Sequence, residues 1–220
     1  MKGQAIGVSD GSVITVDNES YGGHSYSLQS WHTDEYQIYG EVPTPHSTKI
    51  SSLTTELYGL IATTLLVYIL QKKYDVHQML SVNTTITADN DQAIKMGNEW
   101  NTPLNISETN TQDYDLWTLL WQLRQASTVN ITYKWIKGHQ DQLKTGGKIF
   151  GPFSREVQLN IQMDALAKIA SDQSSKSPVL RPTNSTTAMG LYTLNNIFIS
   201  DIHDFFQYVM TEKPMIDYLI

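Results

Sequence analysis

The sequence predicts an α/β fold in the order βββ-α-β-α-α-β-α, and three observations carry that reading. Near the N-terminus, short apolar or alternating stretches are separated by Gly- and Asn-bearing turns, the pattern of an antiparallel meander. A long run from Ser51 to Lys73 places leucines at helical spacing. Two later β-branched runs are each followed by amphipathic helical segments, as strands alternating with helices require.

Taken in order, Gln4–Ser12 (QAIGVSDGS) reads as a short buried strand, Ala5 to Val8, delivering Asp10 at its end into a Gly-Ser turn. In open α/β sheets the reactive crevice lies outside the carboxyl ends of strands, so this Asp is placed for chemistry. A polar loop from Thr15 to Tyr21 leads to Gly22 and Gly23. His24–Trp31 and Glu35–Gly40 follow as strands, and Val42–Thr48, with two prolines, is the exit loop. His32 and His46 fall near turns without companion ligands and read as surface histidines. In the helix Ser51–Lys73, with Ser51 or Ser52 as N-cap, Glu56 stands in the second turn close to the apolar face.

Asn83–Asp89 (NTTITAD) repeats the opening pattern, a β-branched strand ending in an Asp before a helix start. Asp89 and Asp91 compete there for the roles of cap and site residue. A polar segment, Asn98–Gln112, crosses to the helix Asp113–Ala126. The strand Val129–Ile136 runs into Lys137, Gly138 and His139. After a loop from Gln140 to Arg155, the helix Val157–Ser171 carries Asn160 and Asp164 on one face, four residues apart.

Composition narrows the chemistry. At 220 residues and 40% hydrophobic, the chain can bury one domain and an appendage. Cysteine is absent, which excludes disulfides, thiolate metal sites and thiol nucleophiles. No window reads as a bilayer span and no signal peptide is evident, so the expectation is an intracellular, cytoplasmic protein with no membrane partner and with the sequons at Asn18, Asn83 and Asn130 unused. The net charge of −7 is unfavourable for phosphate binding unless cations are clustered.

Six motifs in order then point to one family. VSDGS, TTEL, ITADN, DYDLW, WIKGHQD and NIQMDALA resemble, in sequence and in position, those of type 1 ribonuclease H domains, especially those attached to the reverse transcriptases of LTR-retrotransposon-like retroelements. The resemblance implies a five-stranded mixed sheet, three antiparallel strands then two parallel, flanked by helices. It implies hydrolysis of the RNA strand of RNA/DNA hybrids at four carboxylates, Asp10, Glu56, Asp89 and Asp164. His139 would assist proton movement or product departure. Four carboxylates brought together repel unless cations neutralise them, and oxygen-only donors select Mg²⁺, with Mn²⁺ able to substitute. Two such ions about 4 Å apart suit in-line phosphodiester hydrolysis. Hybrid contacts are expected from Gly11, Ser12, Ser51, Ser52, Asn90, Lys137 and Asn160, with Lys144 and Lys148 of the long loop. A fused or associated reverse transcriptase is the expected protein partner, and a retroelement particle a possible setting.

The sequence also departs from that family. The first long helix begins Ser51-Ser52-Leu53, where many relatives place amides that touch the hybrid. The loop after His139 is long and carries Lys144, Lys148, Phe150 and Arg155, and only Lys95 is cationic between Asp89 and Asp113. The best cationic cluster is Lys134, Lys137, Lys144, Lys148 and Arg155. The resemblance covers residues 1–171; 172–188 reads as a Ser/Pro linker, and 189–220 as an appendage with a strand at Leu191–Ile199 and a short helix from Ser200 or Asp201 to Met210, docked on the domain or cut from a larger polyprotein. Two alternatives share the fold: a catalytically weak connection or binding module, and a transposase or integrase-type core. A generic doubly wound nucleotide-binding domain lacks its Gly-rich phosphate loop.

Overall fold

The computed structural model describes residues 4–30, 37–45, 50–74, 83–100, 113–141, 152–178, 191–192 and 197–198. His32, His46, Lys144, Lys148 and the short helix expected near Met210 lie outside them. The elements are β1 (Gln4–Val16), β2 (Glu19–Ser30), β3 (Gln37–Pro43), α1 (Ser52–Tyr74), β4 (Asn83–Ala88), α2 (Asp91–Glu99), α3 (Tyr114–Ala126), β5 (Asn130–Trp135), α4 (Arg155–Lys176), β6 (Leu191–Tyr192) and β7 (Ile197–Phe198). Through α4 this is the expected order. The sheet runs β3-β2-β1-β4-β5, with β1–β2 and β2–β3 antiparallel and β1–β4 and β4–β5 parallel.

The first strand is the largest correction to the sequence reading. Asp10 does not leave a strand into a turn: β1 continues to Val16, and Asp10 lies opposite Ser25 within the β1–β2 ladder. The expected polar loop collapses to the pair Asp17-Asn18, both at positive φ (51° and 67°). That backbone is the one that two-residue hairpins demand, and Asn and Asp adopt it at lower cost than other L residues.

Side-chain alternation along the central strands divides the core. Ile6 and Val8 face α4 and pack with Leu159 and Met163. The opposite face carries Ile86, Ile131 and Tyr133, covered by Leu57, Leu60 and Ile61 of α1, Ala93 and Ile94 of α2, and Leu116, Trp117 and Leu120 of α3. At the β5 edge, the Asn98 side chain donates to the Tyr133 carbonyl (2.9 Å) and accepts from its amide (3.3 Å), standing in for a missing strand.

Three other expectations change. Ser52–Lys73 is long and apolar enough, by length and composition, to cross a membrane (mean hydropathy 1.6), where the sequence reading found no such window; 56% of that window is buried within this fold. α4 does not stop at Ser171 but runs to Lys176, so the first residues of the expected linker are helical. Ser171 and Ser174 are buried, and the Ser174 hydroxyl donates to the Thr44 carbonyl. The single strand expected at Leu191–Ile199 is instead two short strands, Leu191 pairing with Phe198 and Tyr192 with Ile197.

Close approach of α4 to β2 depends on Gly23. A Cβ there would collide with the backbone of Ala167, Ala170 and Ser171. Gly23→Ala is expected to destabilise the fold by about 1–3 kcal/mol or more, because a helix backbone cannot yield as a flexible side chain does. A lowered denaturant midpoint at unchanged m-value is the measurement.

Candidate metal and active site

Asp10 comes to the site by strand alternation, on the same side of β1 as Ile6 and Val8. The parallel ladder between β1 and β4 ends at Val8 opposite Thr87, while β1 continues beside β2. Asp10 therefore lies just past the point where its neighbour on one side has ended. Through that gap the two layers flanking the sheet can reach each other.

Glu56 enters from the helical layer containing α1. Ser51 caps the helix, its hydroxyl accepting from the Thr54 amide at 3.1 Å. Thr54 in turn donates to the carboxylate of the buried Asp113 (2.7 Å), which ties the start of α1 to the start of α3. Gly11 makes the approach possible, since a Cβ there would strike the α1 backbone at Thr55 and Glu56. The Gly11 amide also hydrogen-bonds to both Asp10 and Glu56.

Asp89 follows the last residue of β4. Its rivalry with Asp91 is resolved by Asn90, whose side chain accepts from the Ala93 amide and caps α2, leaving Asp91 in the first helical turn. Asp10, Glu56 and Asp89 each offer one carboxylate oxygen, and these oxygens lie within 4.8 Å of one another.

The fourth carboxylate stands apart from this group. Asp164 on α4 pairs with Lys168 (2.7 Å), and His139 Nδ1 lies 3.8 Å from the same oxygen. Asp164 is still close enough to repel Asp10. Lys168, not singled out from the sequence, was legible as the i+4 partner of Asp164. His139 sits at positive φ (51°) just after the β5 exit, with an exposed side chain.

Burial, and then repulsion from Asp89 and Asp164, pushes the Asp10 carboxyl well above the usual carboxylate range. Burial, and then repulsion from Asp10 and Asp89, does the same to Glu56, whose carboxyl also shares a hydrogen bond with Asp89. Glu56 Oε2 is buried without a hydrogen-bond partner. Buried carboxylates facing one another, one oxygen lacking any partner, form a donor set that a hard divalent cation satisfies. The residues present fit such an ion.

The expected hybrid-contacting residues divide. Ser52 and Lys137 are exposed, Gly11 and Ser12 half-buried beside Asp10. Ser51 and Asn90 serve as helix caps, and Asn160 is 3% exposed, one turn before Asp164, with Oδ1 unpartnered. Of the expected cationic cluster, Lys144 and Lys148 lie outside the described residues; Arg155 Nε donates to Gln29 Oε1, and Lys134 and Lys137 are exposed on β5 and just after it.

Raised carboxyl pKa values mean that the metal-free native state holds more protons than the unfolded chain above about pH 4. Its stability should therefore fall as pH rises through that window. Asp10→Asn should flatten this dependence and raise the metal-free melting temperature at neutral pH by a few degrees. His24 acts oppositely: burial lowers its pKa to about 4, so it favours the native state as pH rises toward 6.5. Its contribution is common to both proteins and drops out of the difference between their melting curves.

No protein-family model matches the sequence, and no curated protein matches it significantly. Solved structures do match. The solution structure of the PFV RNase H domain aligns with a TM-score of 0.57 at 14% identity, covering 79% of this chain and 97% of that one. The crystal structure of native Prototype Foamy Virus protease-reverse transcriptase aligns at 0.51 and 16% identity, covering 77% of this chain and 21% of that one. The order βββ-α-β-α-α-β-α, the mixed sheet and these alignments agree: the chain has the ribonuclease H fold.

Proposed function

We propose that this chain is a metal-dependent ribonuclease H that cuts the RNA strand of RNA/DNA hybrids. The carrying observation is the convergence of Asp10, Glu56 and Asp89 from three separate elements, with Glu56 Oε2 left unpartnered. Asp164, on the opposite layer, completes the ligand set when it exchanges Lys168 for a cation. Two Mg²⁺ or Mn²⁺ ions, when bound, supply polarisation of the attacking water and neutralisation of charge on the leaving 3′ oxygen.

The chain's own residues do the rest. Asp10, Glu56 and Asp89 hold the charge that draws cations into a buried site, and the Gly11 amide orients two of them. His139, exposed at the rim and within reach of Asp164, carries protons between site and solvent. Lys134 and Lys137, both exposed on β5 and its exit, offer phosphate contacts. Discrimination rests on duplex shape and 2′-hydroxyls, which mark the RNA strand in an A-like groove.

We further infer an intracellular, cytoplasmic setting and a reverse transcriptase partner, fused or associated, that adds basic surface to an acidic domain. The alignment with part of a protease-reverse transcriptase supports that partner. A second reading, a catalytically weak binding module, draws on one observation, the pairing of Asp164 with Lys168 outside the three-carboxylate group.

Incubation with labelled RNA/DNA hybrid, double-stranded RNA and double-stranded DNA, with and without Mg²⁺ or Mn²⁺, separates the readings. The expected result is RNA-strand cleavage of the hybrid only, dependent on the ion and lost in Asp10→Asn. Binding without cleavage would favour the module. His139→Ala should lower turnover about 10²-fold without abolishing it, as loss of a proton-transfer group does.

Affinity for an uncleavable hybrid should be low. Three or four phosphate contacts at about 0.9 each give a slope of log K against log salt near −3. A steep slope with tight binding would reveal a basic surface assembled elsewhere.

A further inference from the structure

Asp89 poses a mechanical problem. It lies beyond the end of β4, where no strand ladder holds it. A ligand so placed needs a restraint. The exit of β5 supplies three. The Ile136 amide donates to the Ala88 carbonyl at 3.0 Å, extending the parallel pairing one step past the strand. The Trp135 indole Nε1–H donates to the Asp89 carbonyl at 2.9 Å, although the residue is 49% exposed. Gly138 lies directly against the Asp89 carboxylate: a Cβ at that position would collide with Oδ2 and stand 2.9 Å from Cγ.

These contacts grip Asp89 at both ends, the indole fixing its carbonyl and the Gly138 backbone walling in its carboxylate. On the other side the following residue, Asn90, is itself fixed by capping α2. An indole that is half in solvent contributes little to the core, so hydrophobic burial does not explain why a hydrogen-bonding aromatic ring stands here. We propose that Trp135 and Gly138 are positioning residues for Asp89, forming a socket that holds its carboxylate at cation-binding geometry. This rests on the reading of Asp10, Glu56 and Asp89 as a metal site. It adds that the loop bearing His139 and the ligand Asp89 are one mechanical unit.

The test uses the full chain and Mn²⁺, titrated without nucleic acid so that any contact between the exposed indole and a substrate is irrelevant. Trp135→Phe keeps the ring and removes the N–H. It should bind Mn²⁺ about 10-fold more weakly, the scale on which outer partners of metal ligands act. In cleavage assays the Mg²⁺ concentration for half-maximal rate should rise by a similar factor, with turnover recovered at saturating Mg²⁺. A role confined to folding would instead lower the melting temperature and leave that ratio alone. Gly138→Ala, which does not alter the β5 ladder, should weaken Mn²⁺ binding further and carries the test if Trp135→Phe does not fold. Wild-type Mn²⁺ affinity in the folded variants overturns the socket while leaving the metal site standing. A wild-type chain that binds no Mn²⁺ overturns the metal reading and the socket with it.

Discussion

The parallel ladder between β1 and β4 stops at Val8, two residues short of Asp10, while the antiparallel ladder on the other side of β1 runs on to Val16. Everything chemical in the molecule depends on that mismatch. Had β4 continued, its backbone would separate the helical layers and Glu56 could not reach the side of the sheet that Asp10 faces. The extension of β1 keeps one paired side, because β2 runs beside it to Val16. The short β4 instead frees Asp89 to turn toward the gap.

Burial then sets the electrostatics. Asp10 and Glu56 are 3% and 4% exposed, so neither can shed its charge into water. Desolvation first, and then repulsion from neighbouring carboxylates, pushes both carboxyls well above the usual carboxylate range. Protons and cations would therefore compete for the same oxygens. Lys168 gives Asp164 an internal counter-ion on the next helical turn. The difference in exposure explains why the four carboxylates do not behave alike.

Much of this was legible in the sequence, and the exceptions share a cause. The helices were readable from leucine spacing, and the motif order picked out Asp10, Glu56 and Asp89, which the structure brings together. Misreadings cluster where small residues serve packing across the fold rather than local geometry. Asp-Gly-Ser looks like a turn, yet Gly11 is glycine because the α1 backbone passes over it. Asp172-Gln-Ser-Ser looks like a linker, yet Ser171 and Ser174 are small because α4 lies against Gly23 and Thr44. Close approach between distant segments leaves no periodic signal.

The two-residue hairpin at Asp17-Asn18 also has a kinetic meaning. β1 and β2 are neighbours in sequence and can pair within microseconds, whereas β1 and β4 must wait for the whole of α1 to close a long loop. Asp10 therefore finds Ser25 early and Asp89 late. Repulsion between groups that meet only after the main barrier does not slow folding; it hastens unfolding. If the carboxylates take cations, those ions would slow unfolding more than they speed folding, and so would lengthen the lifetime of the fold.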